Sequence, residues 1–302
     1  MLNPITRRAF AGAASLAALA AAPRYRVRLV SNTYIWVQRI QKTGKPAADV
    51  WAEAYPAIRR AGYSRVELIS DCLRPPLRDL TCRLLKENSL HLNEIYNGGN
   101  MHDPEAARKT IADTLEIARA ARSVGTEILL FDLGPKRDGA RKTDDELATV
   151  ARSLNELGKQ ARSLGMRLYL HNHDNPMRDG AREWRYALHN TDPALMSFCV
   201  DPDWMWNGGE EPMALVREAG TRIKMVHVRT QRQKVWTEAL EDGGDINWRD
   251  MAAFLRSISF DGFAVVELAH RPATKVTRTV EENIRVSREW AEKVFDVHPK
   301  DA

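Results

Sequence analysis

Short apolar runs alternate with longer amphipathic segments along the chain from about residue 25 onward. The short runs are bounded by turn residues, which is typical of buried strands, whereas the longer segments follow the 3.6-residue period of helices. Eight strands are predicted, at residues 27–31, 65–69, 91–96, 127–131, 167–171, 196–200, 224–228 and 263–268. This regular alternation predicts a parallel α/β protein.

The spacing of the predicted strands favours a closed barrel. Seven steps of about 34 residues lead from the end of the first strand at Ser31 to the end of the last at Leu268, and a βα unit needs about that length. No Pro- or Ser-rich linker divides the chain. We therefore predict one domain, a (β/α)8 TIM barrel over residues 23–302. A doubly wound open sheet is the alternative, but no Gly-rich phosphate loop follows the first strand.

Turn and capping residues mark several element ends. Asp103 before Pro104 is typical of a helix N-cap, and Thr143 with Glu146 is typical of a capping box. Asn247 is predicted to begin a helix that ends near Ile258. Residues 97–100 read Asn-Gly-Gly-Asn and predict a flexible loop after the third strand.

The first 22 residues are predicted to be an export signal and not part of the fold. Arg7 and Arg8, with Phe10 close behind, precede an Ala- and Leu-rich run that ends before Pro23. The adjacent arginines resemble a twin-arginine signal, which exports folded proteins. A Sec signal or a retained anchor is the alternative. The predicted location is therefore periplasmic or otherwise exported, with no membrane contact after cleavage.

Charge excludes one class of partner. The 302 residues carry 45 Lys and Arg against 40 Asp and Glu, a formal net charge of +5. Several of the basic residues belong to the first thirty positions, and no later segment concentrates Lys and Arg on one face. Nucleic acid is therefore not an expected partner.

Ionisable side chains follow nearly every predicted strand: Glu67, Glu94, Asp132, His171 with His173, Asp201 with Asp203, His227, and Glu267 with His270. In a TIM barrel these positions form the catalytic face. Burying several carboxylates together is costly unless a cation joins them. His171, Asp201, His227 and Glu267 come from consecutive strands 5 to 8, so we predict one divalent metal ion held by these four. Two imidazoles and two carboxylates suit Mn²⁺, Co²⁺, Zn²⁺ or Fe²⁺ better than Ca²⁺, and Mg²⁺ is also considered.

Structural roles remain open for some of these residues. Asp132 and Asp203 can serve as helix caps or loop charges, and Glu67 and Glu94 can form ion pairs with basic residues. Arg229 can contact a substrate or form a salt bridge with a neighbouring acid.

At these residues the chain resembles the xylose isomerase-like barrel superfamily, which includes sugar phosphate isomerases and epimerases and inosose dehydratases. The matching segments are residues 66–67, 170–174, 200–204, 226–229, 243–248 and 266–267. The resemblance implies a divalent metal, most simply Mn²⁺, held by the last four strands. Epimerase members carry a glutamate where this chain has His171, and many members read His-x-Lys-Asp where it reads His227-Val228-Arg229-Thr230.

Such a site supports loss of a proton next to a carbonyl, giving an enediolate. Glu267, His173 and Glu94 are the candidate acid–base groups. The substrate-binding candidates are Glu67, Asp203, Arg229, Trp36, Trp204 and Trp206, the tryptophans because an indole can stack on a sugar ring. The first hypothesis is an isomerase or epimerase of a sugar or keto-sugar, and a homo-oligomer is considered as its assembly state. The alternatives are a lyase or dehydratase acting on a 3-keto-glycoside or inosose, and a non-catalytic periplasmic sugar-binding protein.

Overall fold

The computed structural model describes residues 25–301. The predicted export signal lies outside these residues. Ten strands are assigned in chain order. They are β1 Arg26–Ser31, β2 Arg65–Ile69, β3 His91–Gly99, β4 Ile128–Leu133, β5 Arg167–His171, β6 Met196–Val200, β7 Ile223–Val228, β8 Gln231–Arg232, β9 Val235–Trp236 and β10 Asp261–Val266.

Eight of these strands form a closed parallel barrel in the order β1-β10-β7-β6-β5-β4-β3-β2. Strand β1 pairs with β10 along its whole length but meets β2 at a single pair, Ser31 with Val66. The short strands β8 and β9 form a separate antiparallel hairpin after β7. The predicted TIM barrel is therefore confirmed, and the open-sheet alternative is wrong.

Helices connect the strands and cover the outside of the barrel. They are α1 Tyr34–Thr43, α2 Ala47–Arg60, α3 Arg78–Glu87, α4 Pro104–Ser123, α5 Asp144–Ser163, α6 Arg178–Asn190, α7 Pro202–Asn207, α8 Pro212–Ala219, α9 Trp248–Ser257 and α10 Val280–Phe295. No helix among residues 25–301 combines the length and apolar character that a membrane crossing requires.

The predicted helix starts are confirmed by their capping contacts. The Asp103 side chain accepts a hydrogen bond from the Ala106 amide, and Thr143 and Glu146 form a reciprocal capping box. Asn247 caps α9 through two backbone amides. These bonds satisfy amide groups that otherwise have no partner in the first turn of a helix.

The expected loop at residues 97–100 is wrong, because β3 continues through Gly99. The two glycines serve close packing here. A Cβ atom on Gly98 would approach the Asp132 carbonyl oxygen to 3.0 Å, and one on Gly99 would approach Thr110 Cγ2 to 2.6 Å. Glycine therefore lets the end of β3 lie tightly against β4 and α4.

The barrel interior is filled in layers. One apolar cluster packs the helices onto the barrel. A second, smaller cluster fills the interior, with Val30, Ile128, Leu130, Tyr169, Cys199, Met225, Phe263 and Val265. Side chains two residues apart on a strand share a face, so the residues two positions further along β4, β5 and β7, and the residue directly after β6, also point inward. Those residues are Asp132, His171, Asp201 and His227.

Candidate functional site

A cavity of about 280 Å³ lies at the carboxyl ends of the barrel strands, where TIM barrels place their active sites. Its lining residues are Asn32, Thr33, Tyr34, Glu67, Ile69, Tyr96, His171, His173, Trp204, His227, Arg229 and Glu267. A larger groove of about 650 Å³ runs between α4 and α5 on the outside of the barrel, but it contains none of the predicted site residues.

Three of the four predicted metal ligands form one buried group. His171, Asp201 and His227 each offer a ligand atom, and these atoms all lie within 4.8 Å of one another. Asp201 Oδ2 is 3.6 Å from His171 Nε2 and 4.0 Å from His227 Nδ1. The three residues come from neighbouring strands, and β-strand alternation turns each of them into the barrel.

Glu267, the fourth predicted ligand, lies beside this group and outside it. The residue follows β10 directly. Its Oε2 is 2.8 Å from His227 Nδ1, and its Oε1 accepts a hydrogen bond of 3.1 Å from Arg229. Glu267 also lines the cavity, so its carboxylate is accessible to a small molecule next to the group.

A second carboxylate orients His227 from behind. Glu67 Oε2 lies 3.0 Å from His227 Nε2. Glu67 is itself fixed, because Asn32 Nδ2 donates a 2.6 Å hydrogen bond to its Oε1. Histidines that bind metals usually donate their other ring N–H to such a carboxylate, which leaves the first nitrogen free as a ligand.

These residues fit a divalent metal ion. His171 is 3% exposed, and within the described part of the chain neither of its ring nitrogens has a hydrogen-bond partner. A buried polar group without a partner costs about 1–3 kcal/mol. A cation shared with Asp201 and His227 would satisfy it, and two imidazole nitrogens with a carboxylate oxygen suit Mn²⁺, Fe²⁺, Co²⁺ or Zn²⁺.

The charge states of His171 and Asp201 agree with this donor set. Burial lowers the pKa of His171, which keeps the ring neutral, the form that binds metals. Burial opposes ionisation of Asp201, but the Arg229 guanidinium outweighs it and holds the pKa of this carboxyl well below its usual range. Burial and the neighbouring Glu67 raise the pKa of Glu94 well above its usual range.

Of the arginines and lysines within residues 25–301, Arg229 alone lines the cavity, and its side chain is 3% exposed. Its Nη2 donates a 2.6 Å hydrogen bond to Asp201 Oδ2, in addition to the bond to Glu267. The guanidinium also lies over the rings of Trp204 and Trp236, at 5.0 and 4.7 Å. Of the two roles left open by the sequence, the structure contains the salt bridge.

His173 forms a second acid–base pair at the cavity. Its Nδ1 is 3.0 Å from Asp132 Oδ2, and its ring meets Trp204 edge-on at 5.1 Å. Burial alone would lower the pKa of His173, but the Asp132 carboxylate raises it. The side chain is 36% exposed, so this imidazole is open to a molecule in the cavity.

Two other predicted residues lie beside the cavity without lining it. Glu94 is buried on β3, next to Glu67 and hydrogen-bonded by Asn93. Asp203 is buried beneath Trp236, whose indole N–H donates to it at 2.7 Å. Burial raises the pKa of Asp203 to about 6. Both residues therefore support the walls of the site.

The structure does not bring two of the predicted tryptophans to the cavity. Trp36 is buried in α1 and lines a separate groove on the outside of the barrel. Trp206 is half-buried and packs against the outer core. Trp204 does line the cavity. Trp204 and Trp206 differ because residues two positions apart on a helix, here α7, face different sides.

Sequence reasoning missed several neutral residues of the cavity, namely Asn32, Thr33, Tyr34, Ile69 and Tyr96. Asn32 follows the last residue of β1, so attention to uncharged polar side chains at strand ends would have found it. Tyr96 lies two residues after Glu94 on β3, and its ring meets His171 at 5.7 Å. The cavity is therefore lined by neutral side chains as well as by the ionisable ones that the strand ends indicated.

The sequence profile of the xylose isomerase-like TIM barrel matches residues 56–294. This match covers most of the chain and includes His171, Asp201, His227 and Glu267. The chain belongs to the xylose isomerase-like TIM barrel family. Membership agrees with the closed barrel and with the resemblance carried by the strand-end segments.

Individual relatives are more distant. An inosose dehydratase from Bacillus anthracis is 28% identical over 148 residues, which are 43% of this chain and 50% of the relative. The chain thus spans about half the length of the curated relatives it matches. Among solved structures, an E. coli 3-keto-D-glucoside 4-epimerase is 16% identical, with a TM-score of 0.65 and coverage of 89% of this chain and 100% of that one. An L-ribulose 3-epimerase is 14% identical, with a TM-score of 0.71 and coverage of 89% and 95%.

Proposed function

We propose that the protein is a divalent-metal-dependent isomerase or epimerase of a sugar or keto-sugar. The observation that carries the proposal is the buried group of His171, Asp201 and His227. In the described part of the chain His171 has no hydrogen-bond partner, and Glu67 contacts the far nitrogen of His227. The inosose dehydratase and epimerase relatives support a sugar as the substrate class.

The proposed residues divide into holding and reacting groups. His171, Asp201 and His227 would hold the ion, with Glu267 as the adjoining fourth ligand. A bound divalent ion supplies a Lewis acid that makes the hydrogen next to a sugar carbonyl more acidic. Glu267 lines the cavity beside this group, so its carboxylate is placed to take that proton from carbon and leave the substrate as an enediolate.

A second group must then return a proton. His173 lines the cavity and is held by Asp132. It lies on the β5 side of the cavity, whereas Glu267 lies after β10, so the two groups reach a bound molecule from different strands. Return of the proton to the other face gives an epimer, and return to the neighbouring carbon gives the aldose–ketose isomer.

The second candidate is a dehydratase or lyase. Two observations favour it: by the family resemblance His171 stands where epimerase members carry a glutamate, and relatives from Bacillus anthracis and Lacticaseibacillus casei are inosose dehydratases. In this version Glu267 again takes the proton next to the carbonyl. The hydroxyl on the neighbouring carbon then leaves as water with a proton from His173, and a carbon–carbon double bond forms.

One experiment tests both versions. Purified protein is analysed for bound metal and then incubated in D₂O with D-fructose, 2-keto-myo-inositol and methyl 3-keto-β-D-glucopyranoside, before and after chelation. Carbon-bound deuterium with an epimer or isomer supports the first version, and an unsaturated product supports the second. Absence of bound metal, or activity unchanged after chelation, would disprove metal dependence.

The role of Glu267 is tested separately. Glu267→Gln keeps the size of the side chain and its acceptor for Arg229 but removes the base. We expect deuterium exchange to fall about 10²–10⁴-fold. Glu289→Gln, on the exposed surface of α10, is the matched control and should exchange at the normal rate. Equal rates for the two variants would contradict the assignment.

Export remains a proposal. We propose that the twin-arginine signal carries the folded, metal-loaded protein across the membrane, because folding in the cytoplasm lets Mn²⁺ bind before zinc or copper can compete. Replacing both Arg7 and Arg8 with Lys should leave the full-length protein in the cytoplasm. Continued export of this variant would indicate a Sec signal.

A further inference from the structure

Every basic side chain among residues 25–301 that lines the cavity already faces a carboxylate. Arg229 is paired with Asp201 and Glu267. His227 lies between Glu67 and Glu267, at 3.0 and 2.8 Å. His173 is paired with the Asp132 carboxylate. His171 faces Asp201.

Arg229 is the decisive residue, because a lone arginine in a sugar pocket is the ordinary receptor for a phosphate or carboxylate group. Here both of its terminal nitrogens donate to protein carboxylates, and its Nε lies 3.7 Å from Asp203. Two tryptophan rings enclose the guanidinium. An anionic substrate would have to displace one of these buried carboxylates and leave it without its partner, which is costly.

The rest of the cavity surface adds no positive charge. Glu67 and Glu267 line it, and the other lining residues beyond the histidines and Arg229 are neutral side chains. Arg271, whose guanidinium lies 4.3 Å from the Trp236 ring, does not line the cavity. A phosphate dianion would therefore meet carboxylates of the same sign, and its cation would have to be the proposed metal ion, which the substrate carbonyl already needs.

The size and the neutral walls suit a single ring. A volume of about 280 Å³ lies at the lower end of the range for small-molecule sites. Trp204, Tyr96 and Ile69 offer apolar contact to ring carbons, while Asn32, Thr33 and Tyr34 offer uncharged hydrogen-bonding groups. This combination matches the alternating C–H and O–H surface of a sugar.

We infer that the substrate is an uncharged single-ring sugar, cyclitol or keto-derivative of one, and that phosphorylated and carboxylated sugars are excluded. The inference rests on the proposed function for the choice of sugars. For the absence of charge it rests on the pairing of Arg229 with Asp201 and Glu267, and on the lack of a second arginine or lysine among the described residues that line the cavity.

Binding, measured apart from turnover, tests the inference. Calorimetry on the Mn²⁺-supplied protein compares matched pairs: D-fructose with D-fructose 6-phosphate, and methyl 3-keto-β-D-glucopyranoside with its 6-phosphate. We expect at least one neutral member to bind and its phosphate ester to bind at least tenfold more weakly. Binding without any turnover or deuterium exchange would leave this inference standing and disprove the proposed function.

A charge-insertion variant sharpens the test. Tyr34 lines the cavity at the start of α1, so Tyr34→Lys adds an unpaired cation, and Tyr34→Gln is the neutral control of similar length. Tyr34→Lys should reduce the discrimination against the phosphate ester at least tenfold relative to Tyr34→Gln, with thermal melts confirming that both variants fold. Arg271→Gln should leave the affinities unchanged.

Three results would overturn the inference. The first is a phosphate ester that binds the unaltered protein as tightly as its neutral partner, or more tightly. The second is the absence of binding by every neutral member. The third is loss of phosphate-ester binding in Arg271→Gln, which would identify Arg271 as an anion receptor that the neutral-site argument overlooks.

Discussion

Two layers of the same barrel interior differ in chemistry although they lie only two positions apart in the sequence. The lower layer is apolar and includes Leu130, Tyr169, Cys199 and Met225. The upper layer carries Asp132, His171, Asp201 and His227. Each fully buried apolar side chain contributes about 1.5–3 kcal/mol to stability, whereas buried ionisable groups oppose folding unless they are paired. The lower layer therefore stabilises the barrel, and this stability allows the upper layer to carry ionisable groups for binding and catalysis.

The largest expected effect comes from the upper layer of β6. Asp201→Asn removes the central charge of the ligand group, yet asparagine can still cap α7 as the Asp201 side chain does through the Trp204 amide. We expect the bound metal to be lost and turnover to fall more than about 100-fold, since a Lewis acid contributes several kcal/mol.

The control for that variant is Cys199→Ala, two residues earlier on the same strand and in the lower layer. It should retain the metal while lowering stability modestly. Metal analysis by mass spectrometry and turnover assays compare the two proteins. If Asp201→Asn kept its metal, the ligand group would have to be assigned to other residues.

A large-to-small substitution tests the contribution of the lower layer to stability. Leu130 is fully buried, and Leu130→Ala should reduce the free energy of unfolding by about 2–5 kcal/mol without changing the metal content per folded molecule. Urea denaturation measures the first quantity and metal analysis the second. Loss of metal at normal stability would show that the two layers are not separable in this way.

A smaller effect, on metal affinity, distinguishes Glu67, which orients His227, from the neighbouring Glu94. Glu67→Gln can present an N–H to His227 Nε2, which favours a proton on Nδ1, the nitrogen that faces Asp201. We therefore expect Mn²⁺ affinity measured by calorimetry to fall about 10–100-fold. Glu94→Gln is the matched control, because Glu94 is buried next to Glu67 and does not line the cavity, and it should change affinity less than about threefold. Equal effects would rule out the orienting role of Glu67.

The smallest effect lies outside both layers, in the loop after β9. Glu238 accepts hydrogen bonds from the Thr277 amide and hydroxyl. Although burial opposes its ionisation, these bonds lower the pKa of Glu238 to about 2 in the folded state. Its stabilisation is therefore present above the unfolded pKa of about 4.3 and is lost as the pH falls towards 2.

Glu238→Gln should accordingly reduce the free energy of unfolding by about 1 kcal/mol at pH 7, and the difference from the unaltered protein should shrink between pH 4.3 and 2. Chemical denaturation at several pH values measures it. A difference that stays constant across this range would show that the charge on Glu238 contributes nothing.

Local patterns decided the architecture and much of the site. Alternating apolar runs located the eight barrel strands to within a few residues, because burial on both faces and the length of a βα unit leave their mark on adjacent residues. The same logic identified His171, Asp201, His227 and Glu267 as strand-end residues, since the end of a parallel strand in a barrel is also the edge of its site. Asp103, Thr143 and Asn247 revealed helix starts because capping is a contact within four residues.

Contacts between distant residues were decided only by the tertiary structure. The placement of Glu67 against His227 spans 160 residues, and the enclosure of Arg229 by Asp201, Glu267 and two indole rings joins four separate segments. The side on which Trp36 is buried and the tight packing of Gly98 and Gly99 also depended on partners far along the chain. The periodicity of apolar residues indicates which face of a helix or strand is buried. Which side chain packs against that face is determined only when the barrel closes and brings distant segments together.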